Sequence, residues 1–228
     1  PLSDPVLHRV VHRRPSRRPV SRVGPRALLA VLACLAALAT ASPGRADAVD
    51  PETGTITVWL EQEPPQLDST KATDQVSTRI LNHVMEGLLR QDERGRIVPG
   101  VAERWQIRED GATFHLRADA RWSDGEPVRA QDFVFAWRNV VDPANASEYA
   151  FLLHPVENAE AVNEGRLPVT ALGVRAVDDR TLEVAFERPI AYFDKLLVFS
   201  TYFPVREAFY RDQEGRYGAD ARTLLYNG

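Results

Sequence analysis

All 19 aromatic residues of this 228-residue chain lie after position 48. A segment without them lacks the large side chains that dominate cores, so whatever folds here is built from residues 49–228. Charge divides the chain at the same point. Residues 1–48 carry eight arginines against two acids, Asp4 and Asp47, while the whole chain is net −4. The body is therefore acidic, which argues against a nucleic-acid binder, whose domain would be basic. With 44% apolar residues the chain is not a disordered polymer. About 180 residues can bury a core, and that length leaves one or two domains open.

Residues 1–48 read as an address. His12-Arg13-Arg14-Pro15-Ser16-Arg17-Arg18 through Arg26 is a basic region, followed by the uncharged, Ala- and Leu-rich run Ala27 to Ala41. That run is shorter than the roughly 20 apolar residues a bilayer-spanning helix needs. It suits the apolar region of an export signal, about 7–15 residues followed by small-residue cleavage sites. Ala39-Thr40-Ala41 and Ala46-Asp47-Ala48 both have that form, and Pro43-Gly44 favours the second by breaking the helix just upstream. The only cysteine, Cys34, follows Val31-Leu32-Ala33 in a lipobox-like context. The apolar Leu35-Ala36-Ala37-Leu38 after it weighs against lipid anchoring. Removal of the leader leaves a body without cysteine, hence without disulfide or thiolate chemistry.

In the body, alternation over Thr55–Leu60 predicts a strand, ended by Glu63-Pro64-Pro65. Asp74 can cap a helix running to about Gly87, with Val76, Ile80, His83, Val84 and Leu88 on one face. Short strands near Leu88–Gln91 and Arg96–Val98 flank an Arg94-Gly95 turn. Thr113–Arg117 alternates, with Phe114 and Leu116 on one side. An amphipathic helix is expected from Asp132, its cap, to Val141, where Asp142-Pro143 stops it. Ser147–Leu153 reads as a helical turn. Val174–Val177 and Thr181–Phe186 form a hairpin, and Ile190–Leu197 is helical behind Pro189. This mixed order implies an α/β or α+β body.

No Gly-rich phosphate loop, nucleophile elbow or zinc-protease motif is present. His83 and Glu86 stand at helical spacing but lack a third ligand nearby, so a helix-face histidine beside a solvated glutamate is the plainer reading. Glu109-Asp110 and Asp178-Asp179 are acid pairs in turns, where neighbouring carboxylates point apart. Trp59, Trp105, Trp122 and Trp137 read as core. No catalytic constellation, metal or cofactor is expected.

One stretch is specific. Pro99-Gly100-Val101-Ala102-Glu103-Arg104-Trp105 is followed by Phe114-His115-Leu116-Arg117, Trp122-Ser123-Asp124-Gly125-Glu126-Pro127-Val128, Ala130-Gln131-Asp132-Phe133-Val134 and Trp137-Arg138. This series resembles the signature of the extracytoplasmic solute-binding proteins of the peptide/nickel class, family 5, which serve ABC importers. Val141-Asp142-Pro143, Ala146-Ser147, Tyr149-Ala150, Leu172-Gly173-Val174 and Tyr192-Phe193 are similar to its oligopeptide-binding branch.

The resemblance implies an α/β, periplasmic-binding-protein-like fold of two lobes closing on a ligand, with an extra small domain. It also implies that this chain is an N-terminal fragment, since members are more than twice as long. Residues 49–86 would begin lobe one, 87–206 would be the inserted smaller domain, and 207–228 would return to lobe one. Oligopeptide binders pair with the backbone of an extended peptide, a form of β-augmentation. By resemblance the loop Lys71-Ala72-Thr73-Asp74-Gln75 supplies part of that edge and Tyr149 faces the cleft. Thr73 stands where family members carry a glutamate, and Leu67-Asp68-Ser69 replaces their usual Leu-Asp-Pro. The partners implied are an oligopeptide and the membrane subunits of an ABC importer. The protein is expected to be monomeric, periplasmic and not an enzyme. Murein peptide, dipeptide, haem, a metal chelate or an oligosaccharide remain alternative ligands, and peptide sensing an alternative role.

Overall fold

The computed structural model describes residues 49–228, and internal contacts divide them after Val58. The expected export signal, its cleavage sites and Cys34 lie outside the described residues. In the first part Val49–Asp50 (β1) pairs antiparallel with Thr55–Ile56 (β2). The strand predicted over Thr55–Leu60 therefore stops at Ile56. Val58 is 43% exposed and Trp59 76% exposed. An alternating stretch becomes a strand only where a neighbour supplies a ladder and a face to bury, and among the described residues β1 alone pairs with it. Trp59 is thus not core.

In the second part, residues 59–228, the first helix is Gln75–Val84 (α1). Its buried face is Ser77 and Leu81, whereas His83 is exposed. The apolar stripe expected through His83 is rotated because Ser77, fully buried, is too polar to register in an apolar pattern. The helix ends at Val84 and not near Gly87 because the C-terminal segment takes over its backbone. Asn227 bonds Glu86 in both directions, at 3.1 and 3.0 Å, and Gly228 N donates to Val84 O. Leu89–Gln91 (β3) and Ile97–Pro99 (β4) form the expected ribbon. Its turn is closed by Gly95 at φ +73° and by Asp92 Oδ1, which accepts from Arg94 N and Arg96 N.

The main sheet joins Ala102–Ile107 (β5), Gly111–Leu116 (β6), Val174–Asp178 (β7) and Thr181–Ala185 (β8) in the order β5-β6-β8-β7, antiparallel throughout. Alternation decides its faces. Ala112, Phe114 and Leu116 of β6 and Leu182 and Val184 of β8 are buried, while Thr113, His115 and Glu183 stand on the other side. Onto the buried face packs Ala130–Val141 (α2), through Phe133, Val134, Trp137, Val140 and Val141. Trp137, fully buried, donates from Nε1 to Tyr202 O at 3.0 Å and meets Tyr202 and Phe193 edge-on. Trp122 is also core, at 2% exposure, and Trp105 is half-buried.

Two boundaries differ from expectation. α2 starts at Ala130 with Arg129 as its cap residue, so Asp132 is its third residue and not its cap. From there its Oδ2 reaches back to Arg129 N at 2.9 Å and also accepts Trp122 Nε1 at 3.0 Å. The helix expected over Ile190–Leu197 is a single turn, Phe193–Leu196 (α4), which follows the short Ala159–Asn163 (α3). So short a helix draws its stability from packing: Phe193 is anchored against Phe186 at 4.6 Å, and Ile190 is buried ahead of the turn. Ala150–Leu153 is a 3-10 turn within the predicted Ser147–Leu153, and Glu207–Asp212 (α5) completes the elements.

Candidate functional site

The segment leading into α1 is held by its own side chains. Asp68 begins an Asx turn: its Oδ1 accepts from Thr70 N at 2.9 Å and from Thr70 Oγ1 at 2.7 Å. Its carbonyl accepts from Lys71 N and Ala72 N. Gly218 closes on this turn, taking Leu67 N at 3.0 Å. A side chain there would meet Asp68 N at 2.3 Å, and φ is +72°, so only glycine fits. Downstream, Asp74 caps α1, with Oδ1 accepting from Ser77 N at 2.9 Å. Burial pushes the Asp74 carboxyl up, but the hydrogen bonds from Ser77 outweigh it and hold the group below 3.8.

Between these anchors lie the residues the sequence singles out. Ala72 is buried at 3%, Lys71, Thr73 and Asp74 are half-buried, and Gln75 is exposed at the first position of α1. Tyr149, half-buried, donates from Oη to Thr73 O at 3.2 Å and stacks edge-on against the exposed Phe151. All six candidates therefore form one patch, joined across 76 residues of sequence by the Tyr149–Thr73 bond. Asp74 is extended, at φ −92° and ψ 156°. Among the described residues, Ala72 O and Thr73 N enter no backbone hydrogen bond. Thr73 N is thus an unpaired backbone donor in a half-buried residue beside the Tyr149 ring, while the Ala72 carbonyl is enclosed with its residue.

Sequence reasoning missed the polar cluster behind that patch. Asn139 Nδ2 and Asn145 Nδ2 each donate to Thr70 Oγ1 at 3.2 Å. The Asp-x-Thr spacing signals the local turn, but nothing in the sequence links it to two asparagines about seventy residues away. His83 and Glu86 do not converge. His83 Nδ1 contacts Arg79 O at 2.6 Å, whereas Glu86 pairs with Arg117 at 2.9 Å.

Burial pushes the Asp68 carboxyl above its ordinary 3.8, against the opposing bonds from Thr70. The folded state thus holds this proton more tightly than the unfolded chain. Its stabilising effect is full below 3.8 and fades as the pH rises through the raised folded value. Asp68→Asn keeps the acceptor and removes the titration. Its stability relative to wild type should therefore improve as the pH climbs from about 3.8, in urea melts at stepped pH. A relative stability that falls over that range would contradict the assignment.

Comparison with known proteins bears on this patch. Residues 96–228 match the family model described as bacterial extracellular solute-binding proteins, family 5 Middle. The chain belongs to that family. Over 149 residues it is 46% identical to the periplasmic oligopeptide-binding protein OppA of Escherichia coli (strain K12), covering 64% of this chain and 27% of that one. Over 170 residues it is 39% identical to the probable deoxycholate-binding periplasmic protein YgiS of the same organism, covering 73% and 32%. A solved oligopeptide ABC transporter substrate-binding domain from Bacillus anthracis superimposes with a TM-score of 0.74 at 46% identity, covering 75% of this chain and 33% of its own. The fold is therefore periplasmic-binding-protein-like, and the family signature residues Trp122 and Trp137 are structural. The chain spans about a third of the length of these family members. Tyr149 lies inside the matched region and the 71–75 edge outside it.

Proposed function

We propose that the full-length protein captures oligopeptides outside the cytoplasm and passes them to the membrane subunits of an ABC importer. The observation that carries this reading is the half-buried Thr73–Tyr149 patch, where Thr73 N enters no backbone hydrogen bond and Thr73 O accepts from the Tyr149 hydroxyl, in a family whose members at this identity include oligopeptide-binding proteins. Backbone pairing gives affinity without choosing side chains. The role is binding and delivery, with no catalytic step and no cofactor.

Residues 49–86 begin one lobe, 87–206 form an inserted domain and 207–228 return to the first lobe. The bonds from Leu67 to Gly218, Val84 to Gly228 and Glu86 to Asn227 support that return. Residues 1 to about 46 direct export, the mature protein works as a monomer, and the leader is cleaved with Cys34 inside it, without lipid anchoring.

Calorimetric titration of the full-length protein with tri- to pentapeptides tests the function, and saturable binding is expected. A second reading keeps the fold and changes the solute. It is favoured by the likeness to a probable deoxycholate-binding protein. Binding of a bile acid but of no peptide would establish it.

Tyr149→Phe isolates one contact. The hydroxyl donates to Thr73 O and keeps its lone pairs to accept from a peptide N–H. Losing the hydroxyl should weaken peptide binding by about 0.5–1.5 kcal/mol, with the fold intact because the ring remains. Wild-type affinity for the whole panel would make the tyrosine scaffold.

A further inference from the structure

We infer that Thr70, gripped by Asn139 and Asn145, is a positioning residue that sets ligand affinity without touching the ligand. This rests on the peptide-binding reading above and assigns the machinery that shapes its edge.

The argument begins with valence. A threonine hydroxyl has one proton to give and two lone pairs to fill. Thr70 Oγ1 has three contacts: Asp68 Oδ1 at 2.7 Å, and the side-chain amides of Asn139 and Asn145 at 3.2 Å each. The carboxylate only accepts, so it takes the proton. The two amides must then both donate, which fixes their orientation. No capacity is left over, and the hydroxyl sits in a residue only 1% exposed beside Asp68 at 2%. A site so filled has one geometry, and loss of any member strands the others.

The grip comes from a rigid element. Asn139 projects from α2, the helix packed on the main sheet. Asn145 ends the 3-10 turn Pro143–Asn145 that follows, where Asp142 Oδ1 accepts from Ala144 N at 2.9 Å and Ala146 is left-handed at φ 52°. Three residues beyond Thr70, the Thr73 carbonyl is held by Tyr149. Residues 139–149 therefore clamp the segment at both ends, at Thr70 and at Thr73. Between the clamps lie the half-buried Lys71 and the buried Ala72, and the candidate pairing segment starts at the second clamp, with Thr73 N. Gly218 closes on the opposite side of the turn, at Leu67 and Asp68. An edge fixed in advance forfeits less ordering entropy when a peptide pairs with it, which is how a buried hydroxyl can govern affinity from outside the contact.

The test uses the full-length protein with a tripeptide and a pentapeptide. Thr70→Val keeps the shape and removes the hydroxyl. Hydrogen exchange at the amides of residues 71–74 should accelerate in the ligand-free variant, and peptide affinity should fall by about tenfold. Thr70→Ser, which restores the hydroxyl, should recover both. Val140→Ala, a fully buried change in α2, serves as the control: it lowers stability and should leave affinity alone. Should Thr70→Val not fold, Asn145→Ala removes one donor from a half-buried position and carries the same expectation in smaller measure. Unchanged exchange, or faster exchange with wild-type affinity, overturns the inference. So does an equal affinity loss in Val140→Ala, which would reduce the effect to general destabilisation. If wild type binds no peptide, the functional reading falls and this inference with it. That outcome is distinguishable, because the exchange difference between Thr70→Val and Thr70→Ser needs no ligand.

Discussion

Trp137→Ala is expected to cost roughly 3–5 kcal/mol of folding stability, the range for truncating a large buried aromatic side chain. Three contributions add. The indole is fully buried, so its whole apolar surface is lost to a cavity. Its edge-on contacts with Tyr202 at 5.2 Å and Phe193 at 6.5 Å disappear. The Tyr202 carbonyl loses its donor, Trp137 Nε1, across 65 residues of sequence. The last contact matters for architecture, because it ties the helix on the sheet to the 3-10 turn Ser200–Tyr202. The cavity cannot readily collapse, since both walls are aromatic rings fixed by further rings: Phe193 against Phe186 and Phe114, and Tyr202 against Phe193. Denaturant titration of the full-length protein measures the loss, and a value under about 1 kcal/mol would mean that the family signature tryptophan is not the anchor described here. Peptide affinity, measured where the variant remains folded, should change little, because the Trp137 indole is engaged with Tyr202 and Phe193, on the side of α2 that packs on the sheet.

The parts of this fold legible in the sequence are those whose partners are near or whose periodicity is clean. β6 and β8 alternate because one face meets α2 and the other meets water, so Phe114 and Leu182 declare themselves. The ribbon turn at Gly95 and the stop at Asp142-Pro143 follow from local backbone chemistry. The candidate edge and Tyr149 came from the family resemblance, and their juxtaposition through the Tyr149–Thr73 bond is a structural finding. What was illegible depends on distant chain. Thr70 meets its asparagines 69 and 75 residues away, and Asn227 trims α1 from 141 residues away. Trp59 illustrates the converse. Its alternating neighbours have the composition of a strand, but composition does not supply the partner that would bury it.

Asp132→Ala should cost about 2–4 kcal/mol, more than an ordinary helix cap, because the carboxylate serves two donors. One is Arg129 N, at the start of α2, and the other is the Trp122 indole, 2% exposed. Losing a cap alone costs about 1 kcal/mol, and stranding a buried donor adds about 1–3 kcal/mol. Burial pushes the Asp132 carboxyl above its ordinary range, against the bonds from Arg129 and Trp122. Ionisation therefore opposes folding at this position even though the hydrogen bonds favour it. Asp132→Asn separates the two effects: its amide oxygen can take the place of Oδ2, which serves both donors, and it no longer carries the buried charge. Its loss should be clearly smaller than that of Asp132→Ala. Measured against wild type, both losses should shrink together as the pH rises above 3.8, where the wild-type carboxyl begins to bear its charge at a cost, while the gap between the two non-titrating variants stays constant. Equal losses in both variants would show that packing around Cβ, and not the double hydrogen bond, makes this residue matter. Under the present geometry the aspartate joins the Trp122 turn to the first turn of the helix, and through that helix to Asn139, which grips Thr70.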